Sequence, residues 1–360
     1  MVEKNELKIP NRDEQYMNLI NKISEITEHS RAQVAKAINV ELIQTYWLIG
    51  QYIVEFEQDG QANAIYGSKL LTHLQKDLTH LLGKGFSRSN LQSMRLLYLR
   101  FPNCQTVSGN LSWSHYLEIL GIDDELERNF YIKEVENNYW SVRELRRQKN
   151  SGLFYRLALA KDKEEVLTLA KVGNDIQKPN DIIKSSYVLE FLNLPERNYS
   201  ESQLEDELVK HLEEFLLELG RGFAFIGRQY RMTIDNDDYF ADLVFYHVVL
   251  KCYVVIDLKL GQVKHQDVGQ MNMYLGYFAL DKNNKDDNPP IGIILGADKN
   301  DTAIKYATYG MDSNLFVSKY QLYLPDVEEL KRALQEQLQI SQAKIERLER
   351  GVKSKSNNER

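Results

Sequence analysis

Two acidic residues and a lysine interrupt two consecutive apolar stretches of this chain. Asp242 lies in YFADLVFYH (239–247), and Asp257 and Lys259 lie in CYVVIDLKLG (252–261). An ionised side chain in a hydrophobic strand costs several kcal/mol unless it is paired or bound to a metal. These three residues therefore indicate a site of chemistry, and divalent-metal catalysis explains them most economically.

The spacing of these residues predicts how they meet. Asp257 and Lys259 are two residues apart on a strand, so both face one side of the sheet. The two stretches resemble an antiparallel hairpin, and a two-residue loop at Val249–Leu250 would place Asp242 directly opposite Asp257, with the Cβ atoms about 5 Å apart. Two carboxylates at that distance repel each other unless a cation lies between them.

Carboxylate oxygens favour Mg²⁺ or Mn²⁺ as that cation. Such an ion can polarise a phosphodiester, neutralise charge in the transition state and lower the pKa of an attacking water. Lys259 could orient that water or stabilise the transition state. The alternative is a buried ion pair of Asp257 with Lys259 or with an arginine. The second aspartate on a neighbouring strand favours the metal.

The helices on either side of the strands offer further candidates. Gln270 and Tyr274 are four residues apart in the helix that follows, so they share a face. They could contact a phosphate or ordered water, or they could form the polar edge of a packed helix. The helix that precedes the strands carries several glutamates, and spacing alone selects none of them.

The pattern along the chain predicts a helical N-terminal domain and an α/β C-terminal domain with a mixed central sheet. The C-terminal order begins αβββαβ, with one helix at 201–220, strands at 223–230, 240–247 and 252–260, a helix at 266–280 and a strand at 291–295. A helix near 302–309 and a final strand at 320–324 follow. The predicted divisions are a flexible N-terminus (1–14), the helical domain (15–171), a linker (172–200), the α/β domain (201–325), a C-terminal helix for self-association (326–350) and a disordered tail (351–360).

A second signal lies in the helical domain. Ser87 is predicted to cap a helix that ends near Phe101, preceded across the Gly-Lys-Gly turn at 83–85 by another helix, which is the outline of a helix-turn-helix. Polar side chains on such a face can reach DNA bases or phosphates, and the alternative is an ordinary solvated helix. The candidate DNA contacts are Arg88, Gln92 and Arg95 in this helix and Arg143, Arg146 and Arg147 in a later one.

Composition narrows the class of protein. The chain has 360 residues, 43% of them hydrophobic, which is enough for two domains. Its net charge of −7 argues against a polycation that coats nucleic acid, although a local basic groove stays open. No apolar run approaches the ~20 residues of a membrane helix, the N-terminus does not resemble a signal peptide, and two separated cysteines favour a reducing compartment, the cytoplasm.

Five phrases of the sequence resemble the YhcG-like family of bacterial proteins, in the PD-(D/E)xK nuclease superfamily. They are GFSRSNLQSMRLLY (85–98), FLLELGRGFAFIGRQYR (215–231), DLVFYH (242–247), GQMNMYL (269–275) and NPPIGIIL (288–295). The resemblance implies that Asp242 is the first-strand acid, Asp257-x-Lys259 the (D/E)xK element, Gln270-x-x-x-Tyr274 the QxxxY motif and Glu205 the helix acid.

The sequence departs from the superfamily pattern at two positions. Ala241 stands where the superfamily name has proline, and Asp257 stands where glutamate is more common. The shorter aspartate would require a closer strand or a bridging water.

The resulting expectation is a Mg²⁺- or Mn²⁺-dependent endonuclease that hydrolyses DNA in repair, recombination or defence against foreign DNA. One alternative is a catalytically inactive DNA-binding or assembly protein that uses the nuclease fold as a scaffold. Another is a toxin-like or defence enzyme that acts on RNA through the same metal site.

Overall fold

The computed structural model describes residues 12–58, 69–103, 108, 110–195, 199–298, 301–311 and 314–340. The chain divides into two compact units, residues 1–123 and 124–360. Within the described ranges, no helix has the length and apolarity needed to cross a bilayer. Most of the predicted flexible N-terminus (1–11), the end of the predicted C-terminal helix (341–350) and the predicted tail (351–360) lie outside the described residues.

The described part of the first unit is helical. Its helices are α1 (Arg12–Gln58), α2 (Leu70–Leu82), α3 (Arg88–Arg100) and α4 (Trp113–Ile119). Ser87 caps α3 as predicted, because its hydroxyl accepts a 3.2 Å hydrogen bond from the backbone nitrogen of Asn90. Leu91 and Met94 of α3 are fully buried in a core shared with Ile53 of α1 and Leu70 of α2.

The second unit places a mixed sheet among helices. Its first elements are α5 (Glu125–Asn138), α6 (Val142–Asn150), α7 (Leu153–Ala158), α8 (Lys163–Val172), β1 (Ser186–Val188), α9 (Glu201–Lys210) and α10 (Leu212–Leu219). They are followed by β2 (Phe223–Ile234), β3 (Asp237–His247), β4 (Cys252–Gln262), α11 (His265–Tyr277), β5 (Ile291–Asp298), α12 (Asp301–Ala307) and β6 (Asn314–Gln321).

The strand order is β1-β6-β5-β4-β3-β2. Strands β2, β3 and β4 pair antiparallel, whereas β4, β5, β6 and β1 pair parallel. The predicted αβββαβ order and mixed sheet are therefore confirmed. Helices α9 and α10 pack on one face through Leu204, Leu208 and Phe215, and α11 covers the other through Met271 and Tyr274.

Three predicted elements differ from the structure. The helix predicted at 201–220 is interrupted at His211, whose φ/ψ of −105°/39° is not helical. The last strand is β6 and not 320–324. The segment predicted as a linker (172–200) contains the buried strand β1.

Buried polar residues explain why the last two predictions were wrong. Ser318 in β6 is buried, and its hydroxyl donates to the backbone oxygen of Lys184, just before β1. Lys184 and Ser186 are themselves buried. A hydrophobicity pattern is weak in strands that also place polar residues at buried positions.

The helix at residues 327–340 packs within its own chain. Leu334 is buried, and Gln337 Nε2 donates to the backbone oxygen of Lys161 at 3.3 Å. Part of the leucine stripe that predicted self-association is thus used inside the second unit.

Candidate active site

The β3–β4 hairpin sets the geometry of the site. Paired residues run from His247–Cys252 to Leu243–Ile256, and the turn comprises the four residues 248–251 instead of two. The longer turn has the same centre, so the register is the predicted one, and its continuation places Asp242 opposite Asp257. Asp242 Oδ2 accepts a 2.7 Å hydrogen bond from the backbone nitrogen of Leu258.

Asp257 and Lys259 form an ion pair beside Asp242. Asp257 is 2% exposed, and Lys259 Nζ lies 2.7 Å from its Oδ2. Burial, and then the negative charge of Asp242, raise the pKa of Asp257 to about 7, although Lys259 opposes both. Burial lowers the pKa of Lys259, but the neighbouring Asp257 raises it by more. The net shift of the pKa is upward, so Lys259 remains a cation.

Glu205 reaches the same place from α9. Its side chain is buried because its neighbours Leu204 and Leu208 carry α9 into the core. Its Oε2 accepts a 2.7 Å hydrogen bond from Gln229 Nε2, and that nitrogen also donates to Asp242 Oδ1 at 3.2 Å. Burial and the charge of Asp242 raise the pKa of Glu205, against the hydrogen bond from Gln229.

Sequence reasoning missed Gln229. Its residue type and spacing carry no signal that distinguishes it from other polar residues of an exposed strand. Only the pairing of β2 with β3 brings its amide to the two carboxylates.

The donor set fits a hard divalent cation. Glu205 Oε1 is buried without a hydrogen-bond donor, and Asp257 Oδ2 is buried against the Lys259 ammonium. Buried carboxylate oxygens suit Mg²⁺ or Mn²⁺. In the arrangement seen, no group of three or more His, Cys, Asp or Glu residues among those described is close enough to hold an ion. The Gln229 amide lies between two of the three acids, and Lys259 faces the third.

Helix α11 contributes Tyr274 and Gln270. The Tyr274 hydroxyl donates to the backbone oxygen of Phe240 at 3.1 Å and accepts from the Gln270 amide. Tyr274 is buried, whereas Gln270 is exposed. Because Phe240 precedes Asp242 by two residues, this contact anchors the part of β3 that carries the acid.

The predicted DNA-contacting residues have different environments. Arg88 and Gln92 of α3 are exposed, whereas Arg95 is half-buried and its Nε lies 2.7 Å from Glu57. In the second unit, Arg143 and Arg146 are exposed on α6.

Arg147, which was predicted to contact phosphate, forms hydrogen bonds inside the second unit. Its guanidinium donates to Glu190, to Glu218 and to the backbone oxygen of Val188. These partners lie within the second unit, and the predicted phosphate contact of Arg147 stays a prediction.

Comparisons with known proteins agree with this fold. Residues 22–156 match the model of the DUF1016 N-terminal domain, and residues 180–339 match that of the YhcG PDDEXK nuclease domain. The chain is 36% identical to "Putative nuclease YhcG" of Escherichia coli (strain K12) over 92% of its own length and 96% of that protein.

Two solved structures are remote matches. A repair endonuclease from Pyrococcus abyssi is 18% identical, with a TM-score of 0.26, over 37% of this chain and 50% of that one. A complex of EndoMS with double-stranded DNA is 17% identical, with a TM-score of 0.26, over 36% of this chain and 50% of that one. This chain thus spans about half the length of either solved structure.

Proposed function

This chain belongs to the YhcG family of PDDEXK nucleases, and we propose that it is a metal-dependent endonuclease that hydrolyses phosphodiester bonds in DNA. The observation that carries the proposal is that Glu205, Asp242, Asp257 and Lys259, from one helix and two adjacent strands, converge on one site. One buried oxygen there, Glu205 Oε1, lacks a hydrogen-bond donor.

Each residue of the proposed site has its own role. Glu205, Asp242 and Asp257 would hold Mg²⁺ or Mn²⁺, which when bound supplies a Lewis acid for the phosphodiester and lowers the pKa of a water. Lys259 holds a positive charge beside the acids, where it can orient the attacking water and offset the charge that develops on the phosphate. Tyr274 positions Asp242 through Phe240.

DNA as the substrate is supported by the exposed Arg88 and Gln92 of α3 and by the exposed Arg143 and Arg146 of α6. Arginine and glutamine side chains suit phosphates and base edges. Repair, recombination and defence against foreign DNA would each use such an activity, and they differ in the DNA structure that is cut.

A cleavage panel tests the proposal. Purified protein is incubated with Mg²⁺ or Mn²⁺ and with linear duplex, single-stranded, branched and modified DNA, and with RNA. We expect DNA cleavage that is abolished by EDTA and by Asp257→Ala. Asp238→Ala is the matched control, because Asp238 lies on the same strand as Asp242 but forms an exposed pair with Arg231. Equal cleavage by Asp257→Ala would refute the assignment, and a preference for RNA would refute the substrate.

A second candidate is a non-catalytic scaffold. It is favoured by the Asp257–Lys259 ion pair, which neutralises one acid, and by the Gln229 amide, which donates hydrogen bonds to the other two; neither contact needs a metal. Thermal unfolding with and without Mn²⁺ separates the two, because an ion that binds the native state raises the melting temperature. A working site predicts a rise that disappears in Asp242→Asn, whereas a scaffold predicts none.

A further inference from the structure

Gln229 has a backbone conformation that is unusual for its residue type. It lies in β2 between the pairs Arg228–Leu243 and Tyr230–Ala241, at the level of Asp242. Its φ is +43°, in the left-handed region that glycine and asparagine tolerate better than other residues. A non-glycine residue stays there only where the surrounding contacts hold it.

The contacts that hold Gln229 are those of its side-chain amide. Nε2 donates to Glu205 Oε2 at 2.7 Å and to Asp242 Oδ1 at 3.2 Å. A primary amide has two N–H donors, so both are used by two carboxylates that would otherwise repel each other.

We propose that the Gln229 amide competes with a divalent cation for the carboxylates of Glu205 and Asp242, and that it must leave for the cation to bind. The inference rests on the proposed metal-dependent function and adds to it a residue that sets the affinity for the metal. Gln229 is thus a positioning residue that competes with the ion.

The carboxylates do not need Gln229 to remain in place. Asp242 is fixed through its other oxygen by the backbone nitrogen of Leu258. Glu205 is held by the burial of α9, where Leu204 and Leu208 are fully covered. Removal of the amide therefore removes a competitor of the metal and leaves in place the helix α9 and the strand β3 that carry the two acids.

The test is calorimetric titration of Mn²⁺ into the full-length protein, its Gln229→Gly variant and a control. Glycine tolerates the left-handed backbone, so Gln229→Gly removes the amide without adding strain. The matched control is Gln177→Ala, because Gln177 Nε2 also donates to a carboxylate, Asp175, but far along the chain from the site. Thermal unfolding in EDTA verifies that each variant is folded, and Gln229→Asn is the second variant should Gln229→Gly not fold.

We expect Gln229→Gly to bind Mn²⁺ on the order of tenfold more tightly, because the hydrogen bonds from the amide to the two carboxylates no longer have to break. Gln229→Asn, whose amide is too short to bridge both acids, shifts in the same direction, and Gln177→Ala matches the natural protein. Weaker binding would mean that Gln229 is a metal ligand, and unchanged binding that it is only structural; either result overturns the inference. If the natural protein binds no Mn²⁺, the proposed metal site is overturned as well. This outcome distinguishes failure of the proposed function from failure of the inference about Gln229 alone.

Discussion

The carboxylate of Asp242 accepts a 2.7 Å hydrogen bond from the backbone nitrogen of Leu258, the residue between Asp257 and Lys259. The ladder between β3 and β4 has its last paired residues at Leu243–Ile256. This side-chain bond therefore continues the connection between the strands at the site itself. One oxygen of Asp242 supports the fold, and the other faces Gln229.

Asp242→Asn separates those two roles. Asparagine keeps an oxygen that can accept from Leu258 but has no negative charge for a cation. We expect the free energy of unfolding to fall by about 1–2 kcal/mol, because the asparagine nitrogen cannot accept from Gln229, and DNA cleavage to fall about 100-fold or more. Urea unfolding and initial cleavage rates in Mg²⁺ measure the two effects. Cleavage at the natural rate would exclude Asp242 as a metal ligand.

Tyr274→Phe tests the anchor between α11 and β3. The change removes the hydroxyl that donates to the backbone oxygen of Phe240 and accepts from Gln270, so we expect a loss of about 1–2 kcal/mol in the free energy of unfolding. Cleavage should fall less than in Asp242→Asn, because no charge is removed. Tyr306→Phe on α12 is the control, because that side chain is exposed. Equal stability of Tyr274→Phe and the natural protein in urea would show that the hydroxyl anchors nothing.

Glu218 is the centre of a buried ion cluster in the second unit. Its side chain and that of Arg156 are both 0% exposed and are hydrogen-bonded, with Arg147 and Lys184 close by. Removal of one partner from such a cluster leaves a buried uncompensated charge, so Glu218→Gln should cost about 3–5 kcal/mol. Glu190→Gln removes only the partly exposed partner of Arg147 and should cost less. Urea unfolding compares the two variants.

Glu218 also makes the stability of the natural protein depend on pH. Burial alone would raise the pKa of Glu218, but Arg156, Lys184 and Arg147 lower it from 4.5 to about 2. A lowered folded-state pKa gives stability that is complete above the unfolded pKa and is lost as pH falls towards about 2. Between pH 4.5 and 2, melting temperatures of the natural protein should fall more steeply than those of Glu218→Gln. Parallel curves would contradict the ionised state of Glu218.

The exposed face of α3 is tested by binding, not cleavage. Loss of Arg88 and Gln92 together should weaken DNA binding and reduce the slope of log affinity against log salt by about 1, since one phosphate contact is lost. Arg95→Ala should affect stability instead, because Arg95 pairs with Glu57. Fluorescence anisotropy at several salt concentrations measures both the DNA affinity and its dependence on salt. An unchanged affinity in the double variant would exclude this face as a DNA contact.

The sequence predicted the parts of the fold that depend on local pattern. The apolar runs around Asp242 and Asp257 predicted both strands and their register, which survives the longer turn because 248–251 has the same centre as the predicted loop.

The parts that were missed depend on contacts between residues distant in sequence. Gln229 meets Glu205 only after β2 lies beside α9, and the ion pair of Arg156 with Glu218 draws α7 to α10. Neither contact has a periodicity, so no pattern of residue types along the chain could indicate it.

The most direct test of the account is the single-turnover rate of DNA cleavage in Mg²⁺ for the natural protein and for Lys259→Ala, with Mn²⁺ binding measured on the same samples. The account predicts that Lys259→Ala still binds Mn²⁺, since its three carboxylates remain, and that cleavage falls about 100-fold or more because the cation beside Asp257 is lost. Cleavage by Lys259→Ala at the natural rate would contradict the assignment of the site.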